Sequence, residues 1–222
     1  ASAGIAELYL KDIGIDIVVA NELIEKRANC HKFLHPDTEV IIGDIRDEKI
    51  KDDIKSYITK DIKFLIATPP CQGLSTLGKN KNQKHFEEDK RNYLIFDTLD
   101  IIDSGDFDFI LIENVSRFLE MYFPYEKDYC KLEDILKMKY SKNYNIETAV
   151  LDAKDYGIAQ MRPRAIIKLY KKTLEWEWPS KRKIITLKEA IGHLPSLESG
   201  EKSDIEWHYA KEHNSRQIVA LK

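Results

Sequence analysis

The 222-residue sequence has only three cysteines, Cys30, Cys71 and Cys130, far apart along the chain. They show neither the Cys-x-x-Cys spacing of a metal centre nor the even count of a disulfide framework. The expectation is therefore a reducing, intracellular, cytoplasmic setting and no bound metal. No apolar run approaches the ~18 residues of a membrane-spanning helix, and no signal-peptide pattern opens the sequence. Repeats and low-complexity segments are missing too. An excess of positive charge is also lacking: 35 Lys and Arg stand against 38 Asp and Glu, a formal net charge of -3. Chains that live on nucleic acid alone are often strongly basic, so bulk charge gives that reading no support, although a local patch can still hold phosphate. Basic residues do gather at Lys79, Lys81, Lys84, Lys90 and Arg91, and again at Lys171, Lys172, Lys181, Arg182 and Lys183. Each group by itself reads as a solvated loop.

What the sequence does contain is a core. Hydrophobic residues make up 43% of it, which excludes global disorder and suffices for one sizeable α/β domain with a small appendage. Short apolar runs predict strands over 15–20, 40–42, 64–68, 107–112, 147–150 and 165–170. Amphipathic patterns predict helices over 5–12, 23–33, 93–103 and 131–140. Strands alternating with helices indicate a mostly parallel sheet covered on both faces, in which the last two strands, lacking a helix between them, form an antiparallel edge pair. After Lys171 the pattern weakens, apart from a short helix over 185–191 stopped by Gly192. This sets a boundary between residues 1–171 and 172–222.

The most informative segment is Thr68-Pro69-Pro70-Cys71-Gln72-Gly73. Two prolines cannot continue a strand, because proline has no N–H for the ladder and fixes φ. The chain therefore leaves the sheet there and presents Cys71 in a loop at the carboxyl end of a strand, where ligands collect in open α/β sheets. Other strand ends carry polar groups as well. Ala3-Gly4 lies in a small-residue turn where a ligand can approach the backbone. Asn21-Glu22 stands where ribose hydroxyls are bound in Rossmann-like sheets. In Gly43-Asp44-Ile45 the acid can accept from an exocyclic amine and the isoleucine can pack on a purine. Together the three ends point to a nucleoside cofactor, although each alone reads as an ordinary turn or cap. Glu113-Asn114-Val115 ends another apolar strand and offers a proton donor or a helix cap. Gln160-Met161-Arg162-Pro163-Arg164 places two arginines at alternating positions, suited to phosphate or carbonyl recognition or to plain surface charge.

Taken in order, these motifs resemble those of the C5-cytosine DNA methyltransferases, enzymes that use S-adenosylmethionine. Pro-Cys-Gln, then Glu-Asn-Val, then Gln-x-Arg-x-Arg carry the resemblance, with Ala3-Gly4, Asn21-Glu22, Asp44-Ile45, Asp89–Arg91 and Leu94 beside them. The resemblance implies a Rossmann-like methyltransferase fold and double-stranded DNA as substrate, with the target cytosine flipped out of its stack. It implies that Cys71 is the nucleophile at C6, that Glu113 holds the base and protonates its N3 edge, and that Arg164 and Arg162 hold the base and a phosphate. On the cofactor side it implies Ala3, Gly4, Glu22, Asp44, Ile45, Pro69 and Leu94. On the substrate side it implies Pro70, Gln72, Ser75, Arg91, Asn114 and Gln160, with residues 78–90 as a loop that closes over the substrate. It further implies a bacterial or archaeal restriction-modification setting.

Two departures accompany it. The family's cofactor loop reads Phe-x-Gly-x-Gly, whereas here the phenylalanine position falls before Ala1 and Ser2 stands at the first glycine. Residues 184–195 resemble the linker that leads toward a target-recognition domain, but that domain is not in this sequence. Recognition is expected from a second subunit or from a further C-terminal domain. The alternatives are a tRNA cytosine-C5 methyltransferase of the same fold and a non-catalytic regulatory subunit.

Overall fold

A computed structural model of the chain describes residues 1–70 and 90–217. Cys71, Gln72, Ser75, the expected closing loop up to residue 89 and the last five residues lie outside the described residues. Two compact units form. One comprises Ala1–Leu151 with Pro163–Pro179, the other Asp152–Arg162 with Ser180–Lys222.

The first unit begins with a parallel pair, β1 (Val19–Glu22) and β2 (Glu39–Ile42), with Glu22 opposite Ile42. Helix α1 (Glu25–Leu34) connects them, and α2 (Glu48–Ser56) follows β2. A four-stranded sheet holds β3 (Phe64–Ala67), β4 (Phe109–Val115), β8 (Pro163–Lys171) and β7 (Tyr144–Asp152), in that spatial order. Helix α3 (Leu94–Asp103) precedes β4, and α4 (Leu132–Tyr140) precedes β7. A small antiparallel hairpin, β5 (Tyr122–Tyr125) and β6 (Asp128–Lys131), runs into α4.

β4 alternates half-buried and buried positions, with Ile110, Ile112 and Asn114 inward. This is the period of two expected of a strand with one face on a core. Ile110 and Ile112 meet Ala165, Ile167 and Leu169 of β8, Ile95, Leu99 and Ile102 of α3, and Leu132, Ile135 and Leu136 of α4. Burial of this order, at roughly 1.5–3 kcal/mol for each large side chain, is the principal force holding the unit together. The opposite sheet face is partly covered by Trp176, whose ring stands edge-on to Phe64, Phe109 and Tyr170. Beneath it Lys168 is 2% exposed, its ammonium 4.0 Å from the centre of the Trp178 ring, so the aromatic rings and Glu147, at 3.3 Å, compensate its charge.

The expected strands and four of the five expected helices form, each shifted by a few residues. Three points differ. The sheet is mixed rather than mostly parallel with an antiparallel edge: β3 and β4 are parallel, but β8 inserts antiparallel between β4 and β7, with Glu113 opposite Ile166 and Val115 opposite Arg164. Residues 5–12 form successive turns, closed by i to i−3 bonds such as Leu10 N–H to Glu7 O, and a 3-10 turn at Lys11–Ile13. Ile5, Tyr9 and Ile13 are all exposed, so the apolar side chains gain none of the packing that stabilises a short helix. Helix α2 and the β5–β6 hairpin were not expected from the sequence.

In the second unit, Asp155 accepts from the Lys181 ammonium at 2.8 Å, and its carbonyl from the Arg182 N–H. Helix α5 (Leu187–Ile191) opens on a capping box formed by Thr186 and Glu189.

Candidate active site

The carboxyl ends of the parallel strands carry Glu22, Asp44, Ile45, Pro69, Pro70, Glu113 and Asn114 among the residues singled out in the sequence. Around β1 and β2, hydrogen bonds link the Ala3-Gly4 loop and two strand ends in series. Glu22 Oε2 accepts from the Ser2 N–H at 2.7 Å and Oε1 from the Ile24 N–H at 3.0 Å. The carboxylate thereby holds the start of the Ala3-Gly4 loop and the backbone of Ile24, the residue ahead of α1. Its neighbour Asn21 donates to the carbonyls of Ile41 and Gly43, at 3.0 and 3.1 Å, and so ties the end of β1 to the turn carrying Asp44 and Ile45. Leu94 opens α3 and is buried. One turn further, Asp97 lies within the electrostatic reach of Asp44 and Arg46.

Gly4 fits a close-approach loop. Its φ is +76°, and a Cβ built there would stand 2.8 Å from His35 Cδ2 and 3.0 Å from His31 Cδ2, so no larger residue can take its place. Ser2, at the position where the family has a glycine, also adopts a left-handed φ, +58°. Asp44 is not idle in this arrangement: the Arg46 backbone and guanidinium both donate to it, at 3.0 and 2.9 Å to Oδ1. The Arg46 side-chain bond is the chief reason its carboxyl sits below the usual range. Arg46 was not singled out in the sequence; the signal was its place two residues after the acid, within reach of the same turn.

A second group of residues is built on β3, β4 and β8 of the four-stranded sheet. Asn114 is buried, and its amide donates to the Pro69 carbonyl at 2.9 Å while its oxygen accepts the Val115 N–H at 2.8 Å. The Pro69-Pro70 segment is thereby fastened to the end of β4 just before the chain reaches Cys71. Glu113 points to the other sheet face, where Arg164 Nε reaches its Oε1 at 2.9 Å, with both side chains partly exposed. This contact depends on the antiparallel insertion of β8, which puts the start of that strand beside the end of β4. Arg91 lies exposed in the 3-10 turn Lys90–Tyr93 ahead of α3. Gln160 and Arg162 belong to the second unit and are exposed there; the Arg162 N–H donates to Asp152 Oδ1 at 2.8 Å. Among the described residues, no cluster of His, Cys, Asp or Glu is arranged to hold a metal ion, and no helix is long and apolar enough to cross a membrane.

The fold is shared with solved methyltransferase structures. A protein assigned as a DNA modification methyltransferase, encoded within an Escherichia coli prophage, superposes with a TM-score of 0.66 at 22% identity, over 99% of this chain and 66% of that one. Spodoptera frugiperda DNMT2 does so with a TM-score of 0.57 at 22% identity, over 83% and 52%. At such identities the likeness defines the fold alone, an α/β methyltransferase fold related to the Rossmann-like class. The chain belongs to the C-5 cytosine-specific DNA methylase family, whose model matches residues 1–220; S-adenosylmethionine is the cofactor of that family. Among its relatives, the Type II methyltransferase M1.HgaI of Avibacterium volantium is 43% identical over 100% of this chain and 62% of its own length. The Type II methyltransferase M.NgoPII of Neisseria gonorrhoeae is 31% identical, over 87% and 55%. The chain thus spans less than two thirds of either relative.

Proposed function

We propose that this chain is the catalytic region of an S-adenosylmethionine-dependent DNA (cytosine-5-)-methyltransferase, acting on double-stranded DNA in the cytoplasm as part of a restriction-modification system. The observation that carries the reading is the Glu113–Arg164 pair at the end of β4, next in sequence to Asn114, which ties down the Pro69-Pro70 segment that precedes Cys71. The Type II methyltransferases among its relatives support the restriction-modification setting.

In this reading the target cytosine is flipped from the duplex into a pocket bordered by Pro70 and Gln72. The Cys71 thiolate forms a bond to C6, and the electron pair of the C5–C6 double bond moves toward C5. Glu113 holds the exocyclic edge of the base and supplies a proton at N3, which draws electrons from the ring as sulfur adds. Arg164 fixes O2 of the base and, through its 2.9 Å contact, the orientation of Glu113. Arg162, Arg91, Ser75 and Gln160 contact the DNA strand. Ala3, Gly4, Glu22, Asp44, Ile45, Pro69 and Leu94 hold the cofactor. When bound, S-adenosylmethionine supplies the methyl group that C5 accepts. C5 then loses its proton to a base and the Cys71–C6 bond breaks, returning the thiolate.

Duplex DNA carrying 5-fluorocytosine tests the reading. Fluorine at C5 cannot depart as a proton does, so the elimination stops. In the presence of cofactor, a denaturation-resistant protein–DNA adduct is expected, mapping to Cys71 and missing in Cys71→Ser. Wild-type methyl transfer by Cys71→Ser would end the nucleophile assignment, and labelled methyl appearing in tRNA but not in duplex DNA would end the DNA assignment.

A further inference from the structure

Helix α1 buries an unusual set of residues. Its buried positions are Ala28 and His31, while Phe33 is 84% exposed. A helix recruited only to fill a core would turn the phenylalanine inward and the imidazole outward. His31 is instead fully buried, and among the described residues neither of its ring nitrogens has a hydrogen-bond partner. One turn on, His35 sits at the C-cap with its ring 4.8 Å from that of His31, on the same side of the helix. Both rings meet the same object. The Cβ direction of Gly4 runs into His35 Cδ2 at 2.8 Å and into His31 Cδ2 and Cγ at 3.0 and 3.1 Å. His35 Nε2 lies 2.8 Å from the Gly4 carbonyl oxygen, so the imidazole that donates there carries its proton on Nε2.

We propose that His31 and His35 are positioning residues for the cofactor loop: two adjacent imidazoles, tilted by 46° to each other, form the floor on which Gly4 rests, and His35 fixes the direction of the Gly4–Ile5 peptide. In a trans peptide the carbonyl and the following N–H point in opposite directions. Holding the Gly4 carbonyl onto α1 therefore aims the Ile5 N–H away from the helix, as a preset donor for the ligand the loop receives. The floor also explains why Gly4 cannot carry a side chain. Burial first, and then the neighbouring His35, holds His31 below the usual imidazole value, so its ring meets the loop uncharged at neutral pH. The inference rests on the reading of Ala3-Gly4 as the cofactor loop.

The test is calorimetric titration of S-adenosylhomocysteine into full-length wild-type protein, His35→Phe and His35→Gln, with urea unfolding of each protein in the absence of ligand. Phenylalanine keeps a ring on the floor but has no donor; glutamine places an amide donor near the position of Nε2. The expected result is a Kd about tenfold weaker for His35→Phe and a return to within about threefold of wild type for His35→Gln, with unfolding midpoints that do not follow the same order. Equal affinity of all three proteins, or losses that track stability and are not rescued by glutamine, would overturn the positioning role. Failure of wild type itself to bind S-adenosylhomocysteine would overturn the cofactor reading beneath it.

Discussion

Asn114 shows how much one side chain can settle. It sits between Glu113, which faces the open side of the sheet, and the Pro-Pro segment that precedes Cys71, and it spends both halves of its amide on backbone groups. Truncation to alanine strands a carbonyl and an N–H at the end of β4. Asn114→Ala is expected to lose about 1–3 kcal/mol of stability in urea unfolding and to lower methyl transfer more than that loss alone would, because the path of the chain into Cys71 is no longer fixed. Asn114→Asp, which keeps the shape but replaces the Pro69-facing donor with an acceptor, is expected to behave like alanine. Activity and stability at wild-type level in both variants would refute the tether. Much of this edge was legible in the sequence because short motifs at strand ends are local: Pro-Pro must leave a sheet, and Glu-Asn-Val must end one. The contacts of Asp44 with Arg46 and of Gly4 with two histidines were not legible, since they depend on how α1 and the turn after β2 fold back.

At the scale of elements, α2 and α3 are joined by charge. Lys51 is buried on α2 and lies 2.7 Å from Glu48, 3.5 Å from Asp97 and 3.5 Å from Asp100, while Lys55 reaches Asp100 at 2.9 Å. Hydrogen bonding to Glu48, working against burial, raises the Lys51 pKa. Burial raises that of Asp97 despite the nearby ammonium. A carboxyl whose folded pKa lies above its unfolded value weighs against folding at neutral pH, and this is relieved as pH falls through the raised value. Lys51→Met leaves Asp97 with the burial and less of the compensation, so it is expected to cost roughly 1–3 kcal/mol at neutral pH. The deficit should shrink as pH is lowered toward the ordinary carboxylate range near pH 4. Urea unfolding at several pH values checks this, and a deficit independent of pH would contradict it. The same charges hid α2 from the sequence reading. Only Ile50 and Ile54 supply its apolar stripe, and the useful signal was Asp47, which caps the helix by accepting the Lys49 N–H. The run 5–12 misled in the opposite way, having helical spacing but no surface to pack on.

For the whole molecule, the order of strands was the least local feature and the one read least well. Alternation along the chain announces an α/β sheet, but which strand lies beside which is decided by long-range packing, and β8 pairs antiparallel with β4 as well as lying beside the edge strand β7. That placement brings Arg164 to Glu113. The division into two units has an optical consequence. Of the three tryptophans, Trp176 and Trp178 lie half-buried about the Lys168 ammonium in the first unit, whereas Trp207 belongs to the second and is 83% exposed. Emission from the native protein should therefore divide into a shielded, blue component and a red component open to acrylamide. Trp207→Phe is expected to remove the quenchable fraction and leave the blue emission intact; quenching that survived the substitution would contradict this assignment. The chain carries its own fluorophores, a shielded tryptophan pair in one unit and an exposed tryptophan in the other, so that unfolding of the first unit can be followed without a label.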